Sequence, residues 1–145
     1  MALANVVAMH PARQYDGVDA LLADARSRLR RVTPREAFAA ITSRDAVLVD
    51  IRPAAQRALE GEVAAWLPVL LVERNVLEWR FDPRSDARLP GTSYDLPVIV
   101  LCQEGYTSSL AADALQSLGL HGATDVVGGF AAWRAAGLPL AGVAA

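Results

Sequence analysis

Two short runs with no polar side chain, Ala46-Val47-Leu48-Val49 and Pro97-Val98-Ile99-Val100-Leu101, constrain this chain more than anything else in it. A strand with one face in water alternates apolar and polar residues, whereas a strand apolar throughout is buried on both faces. Runs this short between turn residues read as strands rather than core helices, and they favour a parallel sheet under helices. The intervening segments agree. Val18, Leu21, Leu22, Ala25 and Leu29 recur at helical spacing and predict an amphipathic helix from Gly17 to Arg30. Thr33-Pro34-Arg35-Glu36 is a helix start, with a threonine cap, proline in the first turn and glutamate at the reciprocal capping-box position. Phe38 and Ile41 then face inward. Ala54 to Glu60 reads as a helix ended by Gly61, Val69-Leu70-Leu71-Val72 as a strand, and Asn75 to Trp79 as a short helical turn. The loop from Asp82 to Asp95 is long enough to be functional or mobile. Leu110 to Leu118 reads as a helix stopped at Gly119, Thr124 to Val127 as a last strand, and Phe130 to Ala135 as a final helix. The expectation is an α/β fold in three layers, with a central, mostly parallel sheet of about four or five strands and helices on both faces.

Composition narrows the class. A chain of 145 residues with 53% hydrophobic content suits one folded unit with a substantial core. The formal charge of −2 and a pI near 5.6 speak against a nucleic-acid partner. All basic residues are arginine; Arg26, Arg28, Arg30, Arg31 and Arg35 cluster locally and read as a solvated helix face, with partner docking the lesser reading. One cysteine excludes an intrachain disulfide. His10 and His121 are too far apart to supply metal-ligand spacing beside it, so neither metal nor cofactor is expected. No run approaches the roughly 18 apolar residues of a membrane span, and Ala2 to Met9 lacks a basic leader region. A soluble cytoplasmic protein without a membrane partner is the default. Residues 1 to about 15 read as a loose arm.

Cys102 stands where the second apolar run meets a helix, followed by Gln103-Glu104-Gly105-Tyr106-Thr107-Ser108-Ser109. Free backbone N–H groups at a helix start, with the helix dipole, favour an anion there, and the thiolate is the nucleophilic form of cysteine. A free cysteine is also commonly a small buried hydrophobe. Its position at a strand's carboxyl end, before glycine and hydroxyls, favours chemistry. In open α/β sheets the working crevice lies beyond the strands' carboxyl ends, and Asp50, Arg52 and Cys102 all follow strands on that edge.

Three segments together resemble the single-domain rhodanese family of sulfurtransferases. Leu48-Val49-Asp50-Ile51-Arg52 is similar to that family's Val-Asp-x-Arg strand end. Cys102-Gln103-Glu104-Gly105-Tyr106-Thr107-Ser108 is similar to its active-site loop, and Gly128-Gly129-Phe130-Ala131-Ala132-Trp133 to its closing Gly-Gly-x-x-x-Trp helix. The likeness spans residues 33 to 139, dividing the chain into an arm and helix over 1–32 and a rhodanese-like domain over 33–145. It implies that Cys102 carries sulfane sulfur as a persulfide, taken from thiosulfate or another donor and passed to a thiol or cyanide acceptor. A protein persulfide donor is a further expected partner. It also implies that Gln103, Glu104, Gly105, Tyr106, Thr107 and Ser108 form the substrate loop, with Asp50 and Arg52 supporting it. Thr107, Ser108 and Ser109 add hydroxyl donors to the site or cap the helix.

Two departures from the family pattern stand out. The loop carries Glu104 and no cation, so unless the carboxylate faces solvent it opposes both a thiolate and a dianionic donor. Gly61 to Pro68 lacks the family's proline-glycine turn; Trp66 there either closes over the site or, the commoner fate, is buried in the core. Cysteine phosphatases on this fold need a loop one residue longer that ends in arginine, and neither Thr107, Ser108 nor Ser109 is one. The remaining alternative is a persulfide-accepting carrier or a non-enzymatic partner-binding module.

Overall fold

The structure, a computed structural model, describes residues 13–142, so most of the expected N-terminal arm and His10 lie outside the described residues. Among the described residues one sheet holds β1 (Val47–Asp50), β2 (Val69–Leu71), β3 (Val98–Leu101) and β4 (Thr124–Asp125) in the spatial order β2-β1-β3-β4. Every neighbouring pair is parallel, with Leu48 opposite Val69 and Ile99, and Ile99 opposite Thr124. The helices are α1 (Val18–Arg26), α2 (Pro34–Thr42), α3 (Ala54–Glu60), α4 (Leu77–Phe81), α5 (Thr107–Ser117) and α6 (Gly129–Ala135).

Leu48 and Val49 are adjacent on one strand, point to opposite faces, and are both fully buried, which requires a layer on each side of the sheet. Leu48, Ile99 and Leu101 pack with Ala37 and Ile41 of α2 and with Phe130 and Trp133 of α6. Val49, Val98 and Val100 pack with Leu77 and Phe81 of α4 and with Ala111, Ala112 and Leu115 of α5. Each such buried Val, Leu, Ile or Phe side chain contributes about 1.5–3 kcal/mol. The three-layer α/β expectation is met. Phe38 meets Trp133 edge-on at 6.0 Å, and the indole N–H donates to the Pro139 carbonyl at 3.0 Å.

Two local expectations change. The first helix stops at Arg26 instead of Arg30, and the Ser27 hydroxyl donates to the Asp24 carbonyl at 2.6 Å. Beyond it the chain turns to the sheet edge, where Val32 pairs in parallel with Val126. The Val32 N–H donates to Asp125 at 3.1 Å and the Val127 N–H to Val32 at 2.8 Å, so edge pairing overrides helical periodicity there. Trp66 neither enters the core nor covers the active edge. It is 67% exposed and lies beside Thr42, Arg44 and Pro68, at the amino end of the strands. The reason is local: Val63, Ala64 and Leu67 fill the core positions of that segment, leaving Trp66 outward. The 82–95 loop is closed by its own turns, with the Leu89 N–H donating to Arg80 at 2.8 Å. None of the described helices is long and apolar enough to cross a membrane.

At the start of α2 the capping box is complete. The Glu36 N–H donates to the Thr33 hydroxyl at 3.2 Å, and the Thr33 N–H donates to the Glu36 carboxylate at 2.9 Å. These bonds from the Thr33 backbone and side chain lower the Glu36 pKa from its ordinary value. A lowered carboxylate pKa contributes stability that is present above the unfolded value and lost as pH falls through the folded one. Thr33→Ala, which keeps its backbone N–H on the Glu36 carboxylate, is expected to cost about 1 kcal/mol in denaturant unfolding. Glu36→Ala, by contrast, is expected to destabilise at neutral pH by an amount that shrinks on acidification through the carboxylate range.

Candidate functional site

The chain leaves β1 toward β2 on one side and leaves β3 toward β4 on the other, so the connections diverge at the carboxyl ends of β1 and β3. That divergence opens a crevice. Asp50 and Arg52 lie at the end of β1, and Cys102 directly follows β3. A cavity of about 350 Å³ occupies the place, lined among others by Arg52, Gln56, Arg74, Cys102, Glu104 and Tyr106.

Cys102 is 5% exposed at the cavity's inner wall, and its flank is the apolar layer of Val100 and Ala111. Its sulfur is nevertheless held by main-chain donors. The Gly105 N–H donates to Sγ at 3.2 Å and the Ser108 N–H at 3.4 Å. The loop carbonyls turn outward to partners of their own. Cys102 O accepts from the Phe130 N–H at 2.8 Å and Gln103 O from the Ala131 N–H at 3.0 Å, both at the start of α6. Gly105 O accepts from Arg26 at 2.7 Å and from Arg31 at 3.0 Å. A loop with N–H groups inward and C=O groups outward is a nest for an anion.

Glycine is required at two points of this arrangement. Gly105 has φ +82°, and a Cβ there would lie 2.8 Å from the Gly128 nitrogen. Gly129 has φ +60°, and a Cβ would run into the carbonyls of Cys102 and Gln103. Its bare backbone is what lets the first turn of α6 seat against the loop.

Arg52 fixes the far side. It is 2% exposed, forks onto Asp50 at 3.0 and 2.7 Å, donates to the Gln103 side chain at 2.9 Å and to the Gly61 carbonyl at 3.0 Å, and lies over the Phe130 ring at 4.2 Å. Its donors are thus committed to bracing the loop rather than to a ligand. Arg74, from the turn after β2, brings a cation to the cavity wall, paired with Glu78 at 2.7 Å. Glu104 is exposed at the rim, where water screens its carboxylate. Tyr106 and Thr107 are exposed and line the opening.

The two readings offered for Ser108 and Ser109 are both corrected. Neither caps α5, whose start at Tyr106 has no side-chain cap, and neither hydroxyl turns to the sulfur. Both donate to Oδ2 of Asp125 at 2.7 Å. Asp125 is fully buried and also takes Arg31 in a fork at 2.8 and 3.2 Å. The arginine cluster is corrected in part: Arg26 and Arg31 turn inward to the loop, whereas Arg28, paired at the surface with Asp24 and Asp113, and Arg30 and Arg35 are exposed as expected. The sequence held a signal for this. An aspartate within an apolar strand is buried, and a buried carboxylate requires a cation or several donors.

A rhodanese-like domain model matches residues 33–136. The thiosulfate sulfurtransferase GlpE of Actinobacillus succinogenes is 32% identical over 109 residues, 75% of this chain and 87% of that protein. Among solved structures, a Rhodopseudomonas palustris protein described as a possible tyrosine phosphatase superposes with a TM-score of 0.77 at 32% identity, covering 90% of this chain and 98% of its own. The polysulfide-sulfur transferase homodimer of Wolinella succinogenes superposes with a TM-score of 0.68 at 22% identity, covering 84% of this chain and 85% of its own. The human single-domain sulfurtransferase TSTD1 gives 0.58 at 22% identity over 72% and 95% of the two chains.

Removing one member of a buried ion pair strands the other. Arg52→Leu is expected to cost about 3–5 kcal/mol in denaturant unfolding, and the double change Asp50→Leu with Arg52→Leu to recover most of that loss.

Proposed function

The chain belongs to the rhodanese-like domain family, and on that premise we propose that it is a sulfurtransferase whose Cys102 carries sulfane sulfur as a persulfide. The observation that carries the reading is the pair of main-chain hydrogen bonds to Sγ, from Gly105 and Ser108, at the wall of an accessible cavity. Donors fixed in place by the fold need no rearrangement as charge arrives, which is how an anionic intermediate is stabilised in a partly dry site.

The transfer takes two displacements. The Cys102 thiolate attacks the outer sulfur of a donor such as thiosulfate; the new S–S bond forms as the donor's own S–S bond breaks, and sulfite leaves with the bonding pair. An acceptor thiolate or cyanide then attacks the outer sulfur of the persulfide. The Cys102 thiolate is regenerated and a new persulfide or thiocyanate departs. The protein supplies main-chain donors for the charged sulfur, the Asp50–Arg52 brace that holds Gln103, and a cavity wide enough for a small donor.

The donor's remaining charge faces a mixed wall. Arg74, half-buried and paired with Glu78, offers a cation and the exposed Glu104 a carboxylate, and nearby water and the Glu78 partner weaken both. Anionic donors such as thiosulfate and polysulfide suit Arg74, and a persulfide presented by another protein suits the exposed opening at Tyr106 and Thr107. Phosphoryl transfer does not fit, because residues 103–108 include no arginine to hold a phosphate in a fork.

Intact-mass analysis tests the reading. Incubation with thiosulfate or polysulfide is expected to add one sulfur, about 32 Da, removable by cyanide and absent from Cys102→Ser. Failure with every donor, together with an unaltered phenotype of Cys102→Ser, would indicate a partner-binding module instead. In steady-state assays with thiosulfate, Arg74→Ala is expected to raise KM by about two- to fivefold and Glu104→Gln to lower it by a similar factor.

A further inference from the structure

The segment before the matched domain reaches into the loop around Cys102. Arg26 ends α1, which packs on α5, and Arg31 follows in the turn leading to Val32. Both guanidinium groups donate to the same atom, the Gly105 carbonyl oxygen, at 2.7 and 3.0 Å. Arg26 also donates to the Ser109 hydroxyl at 3.0 Å and lies 5.7 Å from the centre of the Tyr106 ring. Arg31 forks onto Asp125, which in turn collects the Ser108 and Ser109 hydroxyls. The loop's central carbonyl and the first turn of α5 are thereby tied to one buried carboxylate and two arginines.

We infer that Arg26 and Arg31 are positioning residues for sulfur transfer, holding the Gly105 carbonyl outside the loop so that its amides face the sulfur; this rests on the persulfide reading of Cys102. The geometry gives the reason. Gly105 has φ +82°, a conformation with little intrinsic preference to hold it. A trans peptide carries its N–H opposite its C=O, so anchoring the Gly105 oxygen outside turns the Tyr106 N–H to the inner side. If that peptide flipped, a carbonyl dipole would face the anionic sulfur. Two charge-assisted hydrogen bonds on one carbonyl oppose the flip more strongly than neutral donors could. The charge balance acts in the same direction: two guanidinium groups against the single Asp125 carboxylate leave a net positive charge behind a loop that has no cation of its own. Lysine would keep the charge but lose the fork.

The test uses the full chain and thiosulfate–cyanide turnover, with polysulfide loading followed by intact mass. Arg26→Gln and Arg31→Gln are each expected to lower kcat and the rate of persulfide formation roughly tenfold, with KM for thiosulfate changed less than about threefold. Arg26→Lys should restore part of the loss. Arg28→Gln, which removes only the pairs to Asp24 and Asp113, should stay within about twofold of the parent, and so separates positioning from general support of α1. Arg31→Gln strands Asp125; should it fail to fold, Arg31→Lys and Arg26→Gln carry the test. Unchanged kcat in the folded Arg26 and Arg31 variants, or an equal loss in Arg28→Gln, overturns the inference while the persulfide reading stands. A parent protein that never gains sulfur removes both.

Discussion

A sulfur atom that is to carry charge inside a protein, as the proposed function asks of Cys102, needs donors in place of water, and the backbone offers them here. The Gly105 and Ser108 N–H groups reach Sγ of Cys102 at 3.2 and 3.4 Å. The hydrogen bonds around the loop keep it in that conformation. The carbonyls of Cys102, Gln103 and Gly105 would cancel the effect if they turned inward, and each is bonded to a partner outside the loop. Two separate parts of the chain provide those partners, the start of α6 and the arginines around α1, while the Arg52 fork at the end of β1 holds the Gln103 side chain.

The fold makes this convergence economical. Parallel strands bring the ends of β1 and β3 side by side, and the sheet's order places the crevice between them. Burial on both faces keeps the strands fixed, so the loop is anchored to rigid elements. The same layering leaves Arg52, Asp50 and Asp125 without water. They persist as charges because each is paired: Asp50 with Arg52, Asp125 with Arg31 and two hydroxyls. Of the two arginines that line the cavity, Arg52 is held by Asp50 and Arg74 by Glu78.

The layers and the site's address were legible in the residues, because wholly apolar runs, capping residues and glycine stops act locally. Thr33 and Glu36 form the box their spacing implied, and Leu48 and Val49 are buried on opposite faces as an unbroken apolar run requires. Long-range pairing was not legible. Arg31 and Asp125 are 94 residues apart, and nothing in the local pattern of either names the other. Ser108 and Ser109 resemble capping residues by position, yet a stronger acceptor, a buried carboxylate, takes both hydroxyls. Trp66 shows the opposite error: its size suggested burial, but its neighbours Val63, Ala64 and Leu67 had already filled the core positions.

The account is tested most directly by a crystal structure of the protein loaded with polysulfide, at a resolution that places individual sulfur atoms. It requires a second sulfur bonded to Cys102 within hydrogen-bonding reach of the loop N–H groups, with the Gly105 carbonyl still on Arg26 and Arg31. An outer sulfur lodged away from those amides, or a loop whose carbonyls face it, would contradict the account.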